Sequence, residues 1–206
     1  MARRCKWANA PELMTRYHDT EWGVPVYEDR TQFEFLILEG MQAGLSWLTV
    51  LRKREAFRDA FDGFDPQRVA RFGRAKVREL LRNDGIIRNR QKIEAAIVNA
   101  RAVLRIQQEF GGFARFLWDL IGGQPIVNAR TRMRDLPAMT SASDGVSEAL
   151  RGRGFRFVGP TICYAHMQAT GMVNDHLVSC FRYRGLAKGS AGRRRVAKPS
   201  RPMHDA

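Results

Sequence analysis

Cys5, His18, His176 and Cys180 are four side chains able to bind a metal, one pair near each end of a 206-residue chain. Two thiolates and two imidazoles complete a tetrahedral shell for Zn²⁺ and leave no position for a reacting water. Such a closed set predicts a structural staple between the amino-terminal segment and the last structured segment, with the chemistry placed elsewhere. His176 and Cys180 are four residues apart, so a helix there would aim both from one face. Other readings stand beside this one. The order Cys…His…His-x3-Cys fits no standard finger spacing, and each cysteine could be a small buried hydrophobe, as is expected of the third, Cys163. A Cys5–Cys180 disulfide is the other use of the pair. The amino terminus, MARRCKWANAPE, has no apolar leader, which predicts a cytoplasmic location and disfavours that bond.

The chain is 44% apolar, normal for a soluble globule of one domain or two intimate subdomains, and no run approaches a membrane span. Its formal net charge is +14. Residues 182–206 hold eight Lys/Arg and one Asp, so this end carries +7 and the rest of the chain the other +7. The segment 184–206 is rich in Gly, Ser, Pro and Arg and reads as a disordered basic tail on a 1–183 domain. A body that stays basic without its tail points to a polyanionic partner, nucleic acid above all.

The elements that must position these residues read as helices throughout, an all-α pattern without a convincing period-two run. Thr31-x-x-Glu34 reads as a capping box opening a helix through Phe33, Leu36, Ile37 and Met41. Asp65–Pro66 is an N-cap with proline at the first helical position. Helices are expected over 74–83, over 90–109 up to Gly111, and over 113–121; residues 124–142 read as a loop. Ser143 or Asp144 would cap a helix to about Gly152, followed by the turn GFRFVGPT and a helix Thr161–Ala169. Helix, glycine-bearing turn, helix resembles a helix-hairpin-helix, whose amides grip DNA phosphates. Gly154, Phe157, Gly159 and Thr161 are the positions that would do so. The commoner reading of such a segment is an ordinary turn between helices.

Several segments together resemble one family, the 3-methyladenine DNA glycosylase I enzymes of the helix-hairpin-helix superfamily. They are RCKWA (4–8), YHDTEWGVP (17–25), LEGMQAGLSWLTVLRKRE (38–55), NDGIIRNRQKI (83–93), RGFRFVGPTICYAHMQATG (153–171) and VNDHLVSC (173–180), in order along almost all of 1–181. The resemblance implies an all-α glycosylase with one structural Zn²⁺ on Cys5, His18, His176 and Cys180, tying the amino- and carboxy-terminal segments together. It implies action in base-excision repair on duplex DNA containing alkylated purines; a monomer is expected. The nucleotide is flipped out, the N-glycosidic bond of 3-methyladenine is hydrolysed, and an abasic site remains.

By spacing alone Glu39 is a solvent-facing helix glutamate; by the resemblance it is the catalytic carboxylate contacting the extruded base. Tyr17 and Trp47 match the family's stacking walls and Trp7 another aromatic near the base. Trp22 is expected in the core, and Tyr164 in either pocket or core. Asn174 stands where helix-hairpin-helix glycosylases generally carry an essential Asp, an absence the family shares. Residues 153–171 contain no lysine, so a Schiff-base, strand-cleaving activity is not expected and the enzyme reads as monofunctional. Met14 stands where some relatives carry an aromatic residue.

Overall fold

Residues 3–9 and 11–191 are described by the structure, a computed structural model. Its helices, in chain order, are α1 (Glu12–Thr20), α2 (Asp29–Gln42), α3 (Trp47–Arg52), α4 (Arg54–Ala60), α5 (Pro66–Val69), α6 (Arg74–Leu80), α7 (Arg90–Phe110), α8 (Phe113–Leu120), α9 (Ser141–Gly152), α10 (Pro160–Ala169) and α11 (Phe181–Ala191). Among the described residues the strands are β1 (Ile126–Val127) and β2 (Val173–Asn174), paired in parallel with Ile126 opposite Val173. The molecule is mostly helical, as read. The β1–β2 pair falls partly in the stretch expected to be loop and is too short to carry a period-two signal. No helix among the described residues is long and apolar enough to cross a membrane.

Helix α2 is the centre of the fold. Gln32 through Met41 are all buried, against α3, α7, α8 and α10. A helix buried on every side carries no amphipathic stripe, which is why FEFLILEGM is apolar nearly all round. Its start differs from the capping box expected at Thr31. Glu28 is the N-cap, its carboxylate accepting the Arg30 and Thr31 amides at 3.0 and 2.6 Å. Glu34 lies a turn further in, where it is buried and pairs with Arg54 at 2.6 Å and Arg58 at 2.9 Å. Helix α9 also starts earlier than expected: Thr140 caps it, and Ser143 completes a reciprocal box with Thr140 instead of serving as the cap. Asp65 caps α5 as read, with Pro66 next.

The core falls into a larger cluster around α2, α7 and α10 and a smaller one holding Cys5, Tyr17, Trp22, Phe35, Leu177 and Cys180; Trp47 packs against both. At Gly171 (φ +68°) a side chain would run into the backbone of Val24 and Pro25, so only glycine lets the end of α10 approach that close. Helix α11 continues to Ala191, so 184–191 are helical where disorder was expected from residue 184. Its start is anchored: the Phe181 amide donates to the Arg3 carbonyl at 3.0 Å and Asn174 Nδ2 to the Tyr183 carbonyl at 3.2 Å. Those anchors outweigh a composition that favours disorder. The rest of the expected tail, 192–206, lies outside the described residues.

Candidate active site and metal centre

The four metal-capable residues meet. One ligand atom from each of Cys5, His18, His176 and Cys180 lies within 4.8 Å of all the others, and all four residues are buried. Cys180 Sγ is 3.5 Å from His18 Nε2 and 3.5 Å from His176 Nδ1, and Cys5 Sγ is 3.8 Å from His176 Nδ1. An ion holding sulfur at about 2.3 Å and nitrogen at about 2.0 Å in a tetrahedron sets S and N about 3.5 Å apart. The spacing fits. The outer contacts fix the imidazole tautomers as a metal site requires. His18 Nδ1–H donates to Asp19 at 2.8 Å, and His176 Nε2–H donates to the Trp22 carbonyl at 3.0 Å. Asp19 is in turn clamped by Arg4 Nε at 2.9 Å and Nη2 at 2.7 Å, which hold its carboxyl below the usual range. Burial pushes His176 down to about 4 and also lowers His18, leaving both neutral and free to ligate.

All three cysteines are free thiols, so the disulfide alternative is not formed; Cys163 is a buried core residue. His176 and Cys180 do not share a helix as the spacing suggested. They sit in the turn between β2 and α11, closed by Cys180 N–H donating to the Leu177 carbonyl at 2.7 Å. Asn174 holds this turn through its side-chain oxygen, which accepts the His176 amide at 3.3 Å.

An aromatic cleft of about 320 Å³ lies against the same cluster. Trp7, Met14, Tyr17, Trp22, Glu39, Gln42, Trp47, Met133, Leu136, Ala165 and Gln168 line it. Glu39 and Gln42 are one turn apart on α2, Tyr17 comes from α1, Trp47 opens α3 and Ala165 and Gln168 come from α10. Tyr17 and Trp47 have ring centroids 5.5 Å apart, tilted by 48°, and Trp7 meets Trp22 edge-on at 5.0 Å. Glu39 is 5% exposed, and burial alone pushes its carboxyl up to about 8. Trp47 Nε1 is buried without an acceptor among the described residues. Such orphans call for an explanation, and a bound ligand supplies one.

The cleft thus collects Glu39, Tyr17, Trp47 and Trp7 as read, and adds Trp22, which sequence reasoning had assigned to the core. Trp22 does both: its ring packs edge-on against His176 at 4.6 Å and it also lines the cleft. Tyr164 resolves to the core, its hydroxyl donating to Asp175.

The turn between α9 and α10 also sits on α2. Phe157 is left-handed (φ +53°) and 37% exposed, and a Cβ at Gly40 would lie 3.6 Å from its Cβ. Asn99 of α7 grips the neighbouring Arg156 twice, accepting its amide at 2.8 Å and donating to its carbonyl at 2.9 Å. Gly154 is left-handed (φ +84°) and Gly159 is the N-cap of α10, where Pro160 and the absence of a side-chain cap leave first-turn amides such as that of Thr161 open. Beyond Met133 the aromatic cleft adjoins a second, basic one of about 880 Å³, lined by Arg3, Arg4, Lys6, Arg132 and Arg134 among others.

A family model for methyladenine glycosylase matches residues 7–183, a span that takes in nearly every element around this cleft. The chain belongs to the methyladenine glycosylase family. Members of that family stand close to it in sequence. DNA-3-methyladenine glycosylase 1 of Escherichia coli K12 is 50% identical over 182 residues, covering 88% of this chain and 97% of the relative. The DNA-3-methyladenine glycosylase of Haemophilus influenzae is 43% identical over 180 residues, covering 87% and 97%. In three dimensions, 3-methyladenine DNA glycosylase I from Staphylococcus aureus, solved to show its recognition of 3-methyladenine, superposes with a TM-score of 0.85 at 33% identity, covering 87% of this chain and 96% of that one.

Proposed function

We propose that this chain is a monofunctional DNA glycosylase of base-excision repair, which extrudes 3-methyladenine from duplex DNA and hydrolyses its N-glycosidic bond to leave an abasic site. The observation that carries this reading is Glu39, a buried carboxyl in an aromatic cleft, paired with no cation among the described residues. A methyl group at N3 makes the purine cationic. The faces of Tyr17, Trp7 and Trp47 attract that charge, and the cation favours the ionised form of Glu39 that burial resists. An undamaged, neutral adenine offers no such compensation, so the cleft selects by charge.

Chemistry then follows from the same charge. The damaged base departs as a neutral molecule, so no group has to protonate it, and stabilisation goes to the oxocarbenium-like sugar. Asn174, at the place where an aspartate would act in related glycosylases, is spent on the metal turn and on Tyr183. No lysine lines the cleft among the described residues, and Lys92, buried nearby, is committed to the Met41 and Ala43 carbonyls at 2.9 and 2.6 Å. Both facts support base release without strand cleavage.

Cys5, His18, His176 and Cys180 would hold Zn²⁺, which suits a Cys₂His₂ set and would supply a cross-link with no open coordination position. The α9–turn–α10 unit is read as a helix-hairpin-helix, with Gly154, Phe157, Gly159 and Thr161 presented to the DNA backbone. A net charge of +14 and the basic cleft beside Met133 favour duplex DNA as partner; a cytoplasmic monomer fits free thiols and a single complete site.

The test is incubation of the purified protein with alkylated duplex DNA, followed by chromatography of the released bases. Free 3-methyladenine should appear with wild type, with strand breaks only after alkali, and Glu39→Gln should release it at least about a hundredfold more slowly, the scale of losing one transition-state electrostatic contact. Tight binding of damaged DNA without release of any base would replace the enzyme by a damage sensor.

A further inference from the structure

Asp175 lies immediately after β2, is 1% exposed, and belongs to neither the metal-capable cluster nor the cleft lining. Its Oδ2 accepts from the Tyr164 hydroxyl and from Gln168 Nε2, the latter at 2.8 Å. Its Oδ1 accepts from Asn128 Nδ2 at 2.8 Å, and Arg130 Nε stands 3.8 Å away. The β1–β2 pair brings Asn128 into reach, its amide donating to the Asn174 carbonyl at 3.1 Å. With three donors and a guanidinium around it, this carboxylate is an acceptor at both oxygens. Gln168 must therefore turn its NH₂ toward Asp175, and the end left for the cleft is its carbonyl oxygen. Gln168 lines the cleft on the same face of α10 as Ala165.

We propose that Gln168, oriented by Asp175, is a specificity-determining residue that offers a hydrogen-bond acceptor to the exocyclic amine of the extruded base. The proposal rests on the reading of this chain as a 3-methyladenine glycosylase. In DNA the 6-amino group is the only N–H donor of 3-methyladenine, and it carries two hydrogens. Glu39 takes one and the Gln168 carbonyl takes the other. A purine with a carbonyl at that position would set its own lone pairs against two acceptors and leave them unpaired in a buried site, which discriminates more strongly than a missing contact. Tyr164 and Asn128 act from behind as positioning residues, because they hold the Asp175 carboxylate that fixes the Gln168 amide.

The experiment compares equilibrium binding of free 3-methyladenine with that of 3-methylhypoxanthine, which carries a carbonyl in place of the amine. Wild type, Gln168→Met and Tyr164→Phe are measured side by side. Gln168→Met should bind 3-methyladenine about tenfold more weakly, as befits one lost hydrogen bond, with no matching loss for 3-methylhypoxanthine. Tyr164→Phe, which leaves the cleft wall untouched, should move the preference the same way by a smaller factor. A purely structural role would weaken both bases alike. Equal losses in Gln168→Met, or an unchanged preference in both variants, overturn the proposal. Wild-type protein that binds neither base instead sinks the glycosylase reading itself.

Discussion

Glu39 is costly to keep. In the unfolded chain its carboxyl ionises near its ordinary value of 4.5, whereas in the fold burial raises it to about 8. Its contribution is neutral below pH 4.5, where both states are protonated, and grows unfavourable as pH climbs toward 8, since only the unfolded state then releases the proton. Glu39→Gln should therefore unfold at higher urea than wild type at pH 8.5, by on the order of a few kcal/mol, and the gap should close near pH 4.5. A gap that ignores pH would mean the side chain is better solvated than its place suggests. Individual residues differ in how far the sequence exposes them. Cysteine and histidine donors are scarce enough to stand out, and the four ligands are readable as types. Glu39 looks like any surface glutamate on a helix until the burial of α2 is known. Trp22 adds a place in the cleft to the core place expected of it, because a large indole can serve both, and Tyr164, open to either, lies in the core because it finds Asp175 only through tertiary structure.

Helices are readable where their signals are local and obscured where their caps come from elsewhere. The proline after Asp65 and the glycine after Phe110 mark α5 and α7 from sequence. By contrast α8 is capped across the fold: Asp29 of α2 accepts the Phe113 and Ala114 amides at 2.9 and 2.8 Å, a relation no spacing rule contains. The turn before α10 depends on another element in the same way. Its left-handed Phe157 sits in a conformation disfavoured for a bulky residue, secured through Asn99 of α7 on Arg156. Asn99→Ala should lower stability by about 1–3 kcal/mol, the cost of leaving buried backbone groups unpaired. It should also weaken duplex binding several-fold while affinity for free 3-methyladenine stays within about twofold, because the aromatic cleft does not use Asn99. Calorimetric melting and the two binding titrations read these separately; equal weakening of both ligands would place Asn99 in the cleft's support and not the hairpin's.

At the scale of the molecule, the candidate metal ligands join segments 171 residues apart in the case of Cys5 and His176. Cys180→Ser should reduce bound zinc below one per chain, counted with a chromogenic chelator, and cost about 3 kcal/mol or more of stability. The loss should extend to base binding, since Trp22 stands between His176 and the cleft, packing on the imidazole and accepting its N–H. Wild-type melting in the variant would show the ion to be absent or dispensable. The same closure bears on how the protein is made. Cys5 and His18 leave the ribosome first and wait for partners that emerge only with residues 176 and 180. A polypeptide ended before residue 176 would lack half of these donors and could not complete a four-coordinate sphere. Metal uptake by this set would thus report that synthesis has passed residue 180 of 206, where the final donor arrives.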